Sequence, residues 1–101
     1  GVHSFSAFKR AMGNAAEGNQ WHHIVGQHAD NVRKFGAESI HNTNNLVEIP
    51  KELHYKINGY YNSKPLELGG LTVRDWLKTQ SFEAQYEYGL DIVQKALNGT
   101  L

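Results

Sequence analysis

Cysteine is absent from this 101-residue chain, so disulfide bonds and thiolate metal sites are excluded. A structural zinc ion would need histidine and carboxylate ligands alone. Long hydrophobic runs are also missing, and neither a targeting segment nor a transmembrane segment is predicted. The net charge is zero and 40% of the residues are hydrophobic, a balance that excludes a disordered polyelectrolyte. We therefore expect one globular domain over residues 1–101.

Histidine is present but unevenly distributed. All six histidines lie within the first 54 residues: His3, His22, His23, His28, His41 and His54. Charge is mildly uneven as well: residues 1–64 carry seven basic and five acidic residues (+2), and residues 65–101 carry three and five (−2). The chain begins Gly1-Val2 without an initiating Met, which we interpret as a fragment of a longer polypeptide. Histidine-based chemistry is thus expected in the front part of the chain.

The apolar periodicity and the capping residues predict a helix-rich α+β fold. Helices are predicted over residues 5–12, 29–35, 51–58 and 82–97, and strands over residues 20–25 and 46–49. Ser4 is a candidate N-cap for the first helix, and Thr72 with Asp75 forms a capping box ahead of a short helix. Pro50 suits the start of the third helix, and Gly59 is expected to end it. One apolar stripe on the last helix is predicted to be core: Phe82, Tyr86, Leu90, Val93 and Leu97.

A His-His pair on a predicted strand is followed by asparagines, a second strand and a helix with a further histidine. The residues are Trp21-His22-His23-Ile24-Val25, Asn42-Thr43-Asn44-Asn45-Leu46-Val47 and Glu52-Leu53-His54. This ββα order resembles the HNH, or His-Me finger, endonuclease superfamily. More narrowly, it is similar to the WHH- and AHH-type nuclease domains at the C-termini of bacterial polymorphic toxins. The resemblance covers about residues 20–62 and implies a small ββα-metal core, which we expect the N- and C-terminal helices to flank.

The resemblance also implies roles for individual residues. His22 and His54 would bind a metal ion, and His23 would be the general base. Asn45 would support the site by holding the loop between the strands through backbone hydrogen bonds, a role that Asn44 could exchange with it. Asn58 lies four residues after His54, on the same side of a helix, and would be the third ligand.

Phosphodiester hydrolysis explains why these residue types suit such a site. The reaction needs an activated water, stabilisation of charge on the phosphate and help for the departing 3′ oxygen, which one divalent ion and one imidazole can supply. A neutral imidazole, with an ordinary pKa of about 6.5, accepts a proton at neutral pH. A carboxamide ligand favours Mg²⁺, which we expect, with Mn²⁺, Ca²⁺, Zn²⁺ or Ni²⁺ as alternatives.

The His-His pair also sets a geometric demand. Neighbouring residues on an extended strand point to opposite faces of the sheet. His22 and His23 can therefore serve one site only if the strand ends or is distorted at this point.

The predicted partners follow from the same resemblance. The substrate would be nucleic acid, with DNA slightly favoured over RNA because a metal-and-histidine mechanism does not need the 2′-hydroxyl. Three lysines are candidate phosphate contacts: Lys51, Lys56 and Lys64. A cognate immunity protein would neutralise the domain. The larger bacterial protein would be secreted or displayed on the cell surface, and the domain would act in the cytoplasm of a target cell.

Several alternatives remain open from sequence alone. A metal-free ribonuclease could use two histidines as acid and base, for instance His23 with His41, and a noncatalytic interaction module could use its histidines for structure. His3, His28 and His41 are expected to be structural, although His28 and His41 could contact phosphate. Asn58 could simply be a helix-ending residue. Tyr60 and Tyr61 are expected to pack rather than to stack on a base.

Overall fold

The computed structural model describes residues 2–101 and has a small helix-rich α+β fold, which confirms the predicted fold class. The described residues form two compact units. The first ends at Lys51, and the second is Glu52–Leu101.

The first unit contains three helices and a two-stranded sheet. Its regular elements, in chain order, are α1 (Phe5–Met12), β1 (Asn19–His23), α2 (Ala29–Phe35), α3 (Ala37–Ile40), a 3₁₀ turn (Thr43–Asn45) and β2 (Leu46–Pro50). The predicted bounds of α1 and α2 are confirmed. The hydroxyl of Ser4 accepts a hydrogen bond from the Ala7 amide at 3.1 Å, which caps α1. Helix α3 was not predicted, since four residues carry too little periodicity to be recognised.

The sheet is an antiparallel pair in which His22 faces Val47 and His23 faces Leu46. Strand β1 ends at His23, two residues earlier than predicted. Backbone hydrogen bonding between the two segments nevertheless continues for one more residue. The Ile24 amide donates to the Asn45 carbonyl at 2.9 Å. The apolar interior of this unit includes four nearly fully buried side chains: Phe8, Val25, Ile40 and Ile49.

Helix α4 (Lys51–Tyr61) begins at the residue after Pro50 and continues through Gly59. The expectation that Gly59 ends the helix was therefore wrong. Gly59 does not adopt the left-handed conformation that makes glycine a helix stop, and the amide of Asn62 still bonds to the carbonyl of Asn58 at 3.1 Å. Asn58 is consequently an interior helix residue, which overturns its interpretation as a helix-ending residue.

The second unit contains most of α4, a 3₁₀ turn (Leu66–Leu68), α5 (Val73–Leu77) and α6 (Phe82–Asn98). Thr72 caps α5 by accepting from the Asp75 amide at 3.0 Å, as predicted. Gly99 ends α6 in the left-handed conformation, with φ of 74°.

The predicted core stripe of α6 was wrong in part. Leu90 is 43% exposed and Leu97 is 53% exposed. The helix instead buries a neighbouring face, formed by Gln85, Gly89, Ile92, Val93 and Ala96. This face includes Gly89 and Ala96, which have little or no side chain, and the polar Gln85, so a pattern based on large apolar residues misses it.

Candidate functional site

The histidine pair occupies the last two positions of β1, and both side chains are buried. Their successive positions on the strand direct them to opposite faces of the sheet. The face of His23 is covered by α1, since the Phe5 ring meets the His23 ring edge-on at 4.9 Å between centroids. Phe8 meets Trp21 in the same manner at 5.1 Å. Strand β1 therefore ends at the pair, which is one of the two conditions that a shared site requires.

A second histidine contacts His23 directly. His41 follows α3, and its Nδ1 lies 3.2 Å from Nε2 of His23, which is hydrogen-bonding distance. Phe5 stacks on His41 with 16° between the ring planes and 6.3 Å between centroids. Burial lowers the pKa of His41, so its ring is neutral at neutral pH. Phe5, His23 and His41 form what we call the three-ring cluster.

Asn45 stabilises the segments that carry this cluster, through hydrogen bonds of both its Oδ1 and its Nδ2. Its Oδ1 accepts from the Val25 amide at 2.8 Å, and its Nδ2 donates to the carbonyls of Val25 at 3.0 Å and Ile40 at 2.9 Å. Val25 lies two residues after His23, and Ile40 directly precedes His41. One buried amide thus ties together the two chain segments that carry the paired imidazoles.

Asn44 does not share this role. Its side chain is exposed, and its backbone amide donates to Oδ1 of Asn42 at 2.9 Å. Sequence alone left the two asparagines interchangeable. The structure distinguishes them, because Asn45 is the one that is buried and bonded to the backbone of Val25 and Ile40.

The predicted metal ligands lie in different units. His22 belongs to the first, whereas His54 and Asn58 lie on α4 in the second, both half-buried. Burial lowers the pKa of His54, which favours the neutral imidazole that metal binding requires. Nε2 of His22 is buried and makes no hydrogen bond within residues 2–101, although the side chain has other interactions.

Two imidazoles and a carboxamide are a donor set that fits a divalent ion. Within the described residues, no three His, Cys, Asp or Glu side chains are grouped so that they could hold a metal ion. The predicted ligands His22, His54 and Asn58 include only two residues of these types, because the third is an asparagine. The absence of such a group therefore does not bear on the predicted ligands.

The remaining histidines have structural contacts. His28 caps α2 by accepting from the Asn31 amide at 3.4 Å. His3 is largely exposed, with its Nε2 3.3 Å from a Glu38 carboxylate oxygen. The sequence analysis missed Asn31, a fully buried residue whose Nδ2 donates to the Gly26 carbonyl at 3.0 Å. Its only sequence signal is an asparagine inside a short helix, which is not specific.

The predicted phosphate-binding lysines are all exposed. Lys51 and Lys56 lie on α4, and Lys64 follows the end of that helix. Exposed ammonium groups are accessible to a phosphate backbone, and they are equally typical of a solvated surface. Within residues 2–101, no ion pair fixes any of these three lysines.

The tyrosines at the end of α4 pack within the second unit. The hydroxyl groups of Tyr60 and Tyr88 are hydrogen-bonded to each other, and Trp76 meets Tyr88 edge-on at 5.5 Å between centroids. Tyr61 is buried, and burial together with the neighbouring Tyr60 raises its pKa to about 12. These contacts favour packing, as expected, over a platform for nucleic-acid bases.

No family model, no curated protein and no solved structure matches this chain. Within residues 2–101, no helix has the length and the apolar character needed to span a membrane.

Proposed function

We propose that this chain is a metal-dependent endonuclease domain that hydrolyses phosphodiester bonds of nucleic acid. The single observation that carries the proposal is the Asn45 amide, whose three hydrogen bonds fix the strand end after His23 and the residue before His41. A general base needs this kind of rigid support, because its ring must be held in a defined position relative to the water that it deprotonates.

The cost of burying polar groups supports the same proposal. A buried imidazole or carboxamide destabilises the folded protein unless its hydrogen-bonding groups are satisfied, and apolar residues would fill the same space more favourably. The first unit nevertheless buries His22, His23, His41 and Asn45 around one strand end. Concentrated polar burial of this kind is typical of functional sites.

In this proposal His23 accepts the proton of the attacking water, and Asn45 holds the segment that carries it. His22, His54 and Asn58 would hold the divalent ion, with Mg²⁺ expected. When bound, such an ion supplies positive charge that stabilises the phosphate and the departing oxygen. The exposed Lys51, Lys56 and Lys64 would attract the phosphate backbone.

The biological setting is part of the proposal and follows from the resemblance of the His-His, Asn and His54 motif to toxin nuclease domains. The chain would be delivered to a competing bacterial cell and would act in its cytoplasm. A cognate immunity protein would bind it in the producing cell. DNA is the preferred substrate class, because water attack aided by a metal ion does not need a 2′-hydroxyl.

A second candidate function is favoured by one specific contact. His23 and His41 are the two histidines that a metal-free ribonuclease could use, and their ring nitrogens lie 3.2 Å apart. In that reaction one imidazole takes the proton of the 2′-hydroxyl and the other protonates the leaving oxygen. The two rings bond to each other in this structure, so they would have to separate to serve oxygens on either side of a phosphate.

The test is to incubate the purified chain with supercoiled plasmid and, separately, with total RNA, each in Mg²⁺ or in EDTA. The proposal predicts plasmid cleavage in Mg²⁺ that is lost in EDTA and greatly reduced by His54→Ala. Cleavage of RNA alone in EDTA, with 2′,3′-cyclic phosphate ends, would favour the metal-free ribonuclease. If the folded chain cuts neither substrate, the nuclease proposal is wrong and a noncatalytic module is favoured.

A further inference from the structure

His41 lies outside the motif that identified His23, yet its Nδ1 lies within hydrogen-bonding distance of the proposed general base. Its ring is buried and stacked on Phe5, and its backbone amide donates to the Ala37 carbonyl at 2.9 Å. The preceding carbonyl, of Ile40, is bound by the Asn45 side chain. Its ring is therefore fixed in place before any substrate arrives.

The contact between the two imidazoles requires one proton between them. A neutral imidazole has one N–H donor and one lone-pair nitrogen, so either Nε2 of His23 donates to Nδ1 of His41 or the reverse. If His41 were the donor, the lone pair on Nε2 of His23 would be occupied. If His23 is the donor, its lone pair is on Nδ1, the atom that can then accept a proton.

We infer that His41 is a positioning residue that accepts the Nε2–H of His23 and so makes Nδ1 of His23 the basic nitrogen, an inference that rests on the proposed function. Burial keeps the His41 ring neutral, which leaves its Nδ1 lone pair able to accept. The hydrogen bond also survives the reaction. When His23 takes a proton on Nδ1, its Nε2–H remains and donates more strongly to His41, because the donor ring is then charged.

Two substitutions distinguish the contribution of the His41 acceptor nitrogen from that of its aromatic ring. His41→Phe keeps an aromatic ring against Phe5 and removes the acceptor. His41→Asn removes the ring but retains an acceptor, since its Oδ1 is attached to Cγ as Nδ1 is in histidine. His3→Gln is the matched control, because this largely exposed histidine lies outside the three-ring cluster.

The primary readout is ¹⁵N NMR of the His23 ring nitrogens, assigned by loss of their signals in His23→Gln. Wild type is expected to show a protonated Nε2 and a lone-pair Nδ1, and His41→Asn is expected to retain this tautomer. His41→Phe is expected to give a mixture of tautomers. A protonated Nδ1 in neutral wild type would overturn the inference even if a variant failed to fold, and so would an unchanged tautomer in folded His41→Phe.

Cleavage kinetics give the second readout. His41→Phe is expected to lower kcat about 10- to 100-fold with little change in KM, and His41→Asn to restore most of the loss. If His41 were instead the acid of a metal-free ribonuclease, His41→Asn would be as inactive as His41→Phe, because a carboxamide transfers no proton. Absence of cleavage by wild type would reject the proposed function, whereas the NMR result would still decide the role of His41.

Discussion

The two units of this chain fill their interiors differently. Among the described residues, the first unit buries five polar side chains, His22, His23, Asn31, His41 and Asn45, and the second buries one, Gln85. Polar burial requires matched hydrogen bonds, and apolar packing requires none. The first interior therefore depends on hydrogen bonds between buried polar groups, whereas the second is mainly apolar. In the proposed function the first unit carries the general base His23, and the second carries His54.

The lone polar residue of the second interior shows the contrast. Nε2 of Gln85 donates to the carbonyl of Gln80 at 3.1 Å, a local bond at the start of α6. Asn45 bonds instead to backbone groups 5 and 20 residues away in the chain. The Gln85 bond spans only the start of one helix, whereas the bonds of Asn45 to Val25 join segments 20 residues apart.

The largest stability effect is expected for Asn45→Ala. The substitution leaves the Val25 amide and the carbonyls of Val25 and Ile40 without their partner, and each unsatisfied buried group costs about 1–3 kcal/mol. We expect the free energy of unfolding in urea to fall by about 3 kcal/mol or more. Asn44→Ala is the control and should change it by less than about 0.5 kcal/mol. Equal effects of the two substitutions would contradict the role given to Asn45.

A somewhat smaller effect is expected in the second unit, from the buried face of α6. Ile92→Ala removes a side chain that is 2% exposed, and we expect a loss of about 2–4 kcal/mol. Leu90→Ala removes one that is 43% exposed and should cost less than about 1 kcal/mol. Thermal and urea unfolding of the two variants would measure this. Cleavage per folded molecule should be unaffected in both, and the reverse ranking of stabilities would restore the stripe predicted from sequence.

The smallest effect is a pH dependence of stability. Burial lowers the folded-state pKa of His41 and of His54 below the ordinary value of 6.5. As the pH falls through 6.5 the unfolded chain takes up protons more readily than the folded chain, so the free energy of unfolding should decrease.

Urea titrations of wild type between pH 7.5 and 5.5 would measure that decrease. His41→Asn should reduce the dependence by removing the contribution of the first unit, and His54→Asn by removing that of the second. A wild-type stability that rose on acidification would show that the sign of these shifts is wrong.

Local signals in the sequence predicted much of the fold. Ser4 and Thr72 are caps whose effects act within three residues, so their helices could be placed without tertiary information. Leu90 was wrongly predicted to be core, because apolar spacing alone does not show which face of α6 is buried. The motif implied that Asn45 forms backbone hydrogen bonds in the loop between the strands. Its side chain bonds to the backbone of Val25 and Ile40 in that loop.

The role of His41 could not be predicted from a motif. It lies 18 residues after His23, and the turn after α3 brings the two rings together. From sequence, His23 and His41 were only one example of two histidines that could act as acid and base in a metal-free ribonuclease. Strand alternation set a geometric demand on His22 and His23, and the feature of the structure that bears on it is the end of β1 at His23.

The central claim is that His23 removes a proton during phosphodiester cleavage, and the most direct test is the rate of plasmid cleavage in Mg²⁺ by His23→Ala. The account predicts a loss of about 100-fold or more relative to wild type at equal folded fraction, with His3→Ala unchanged. Cleavage by folded His23→Ala at the wild-type rate would contradict the claim.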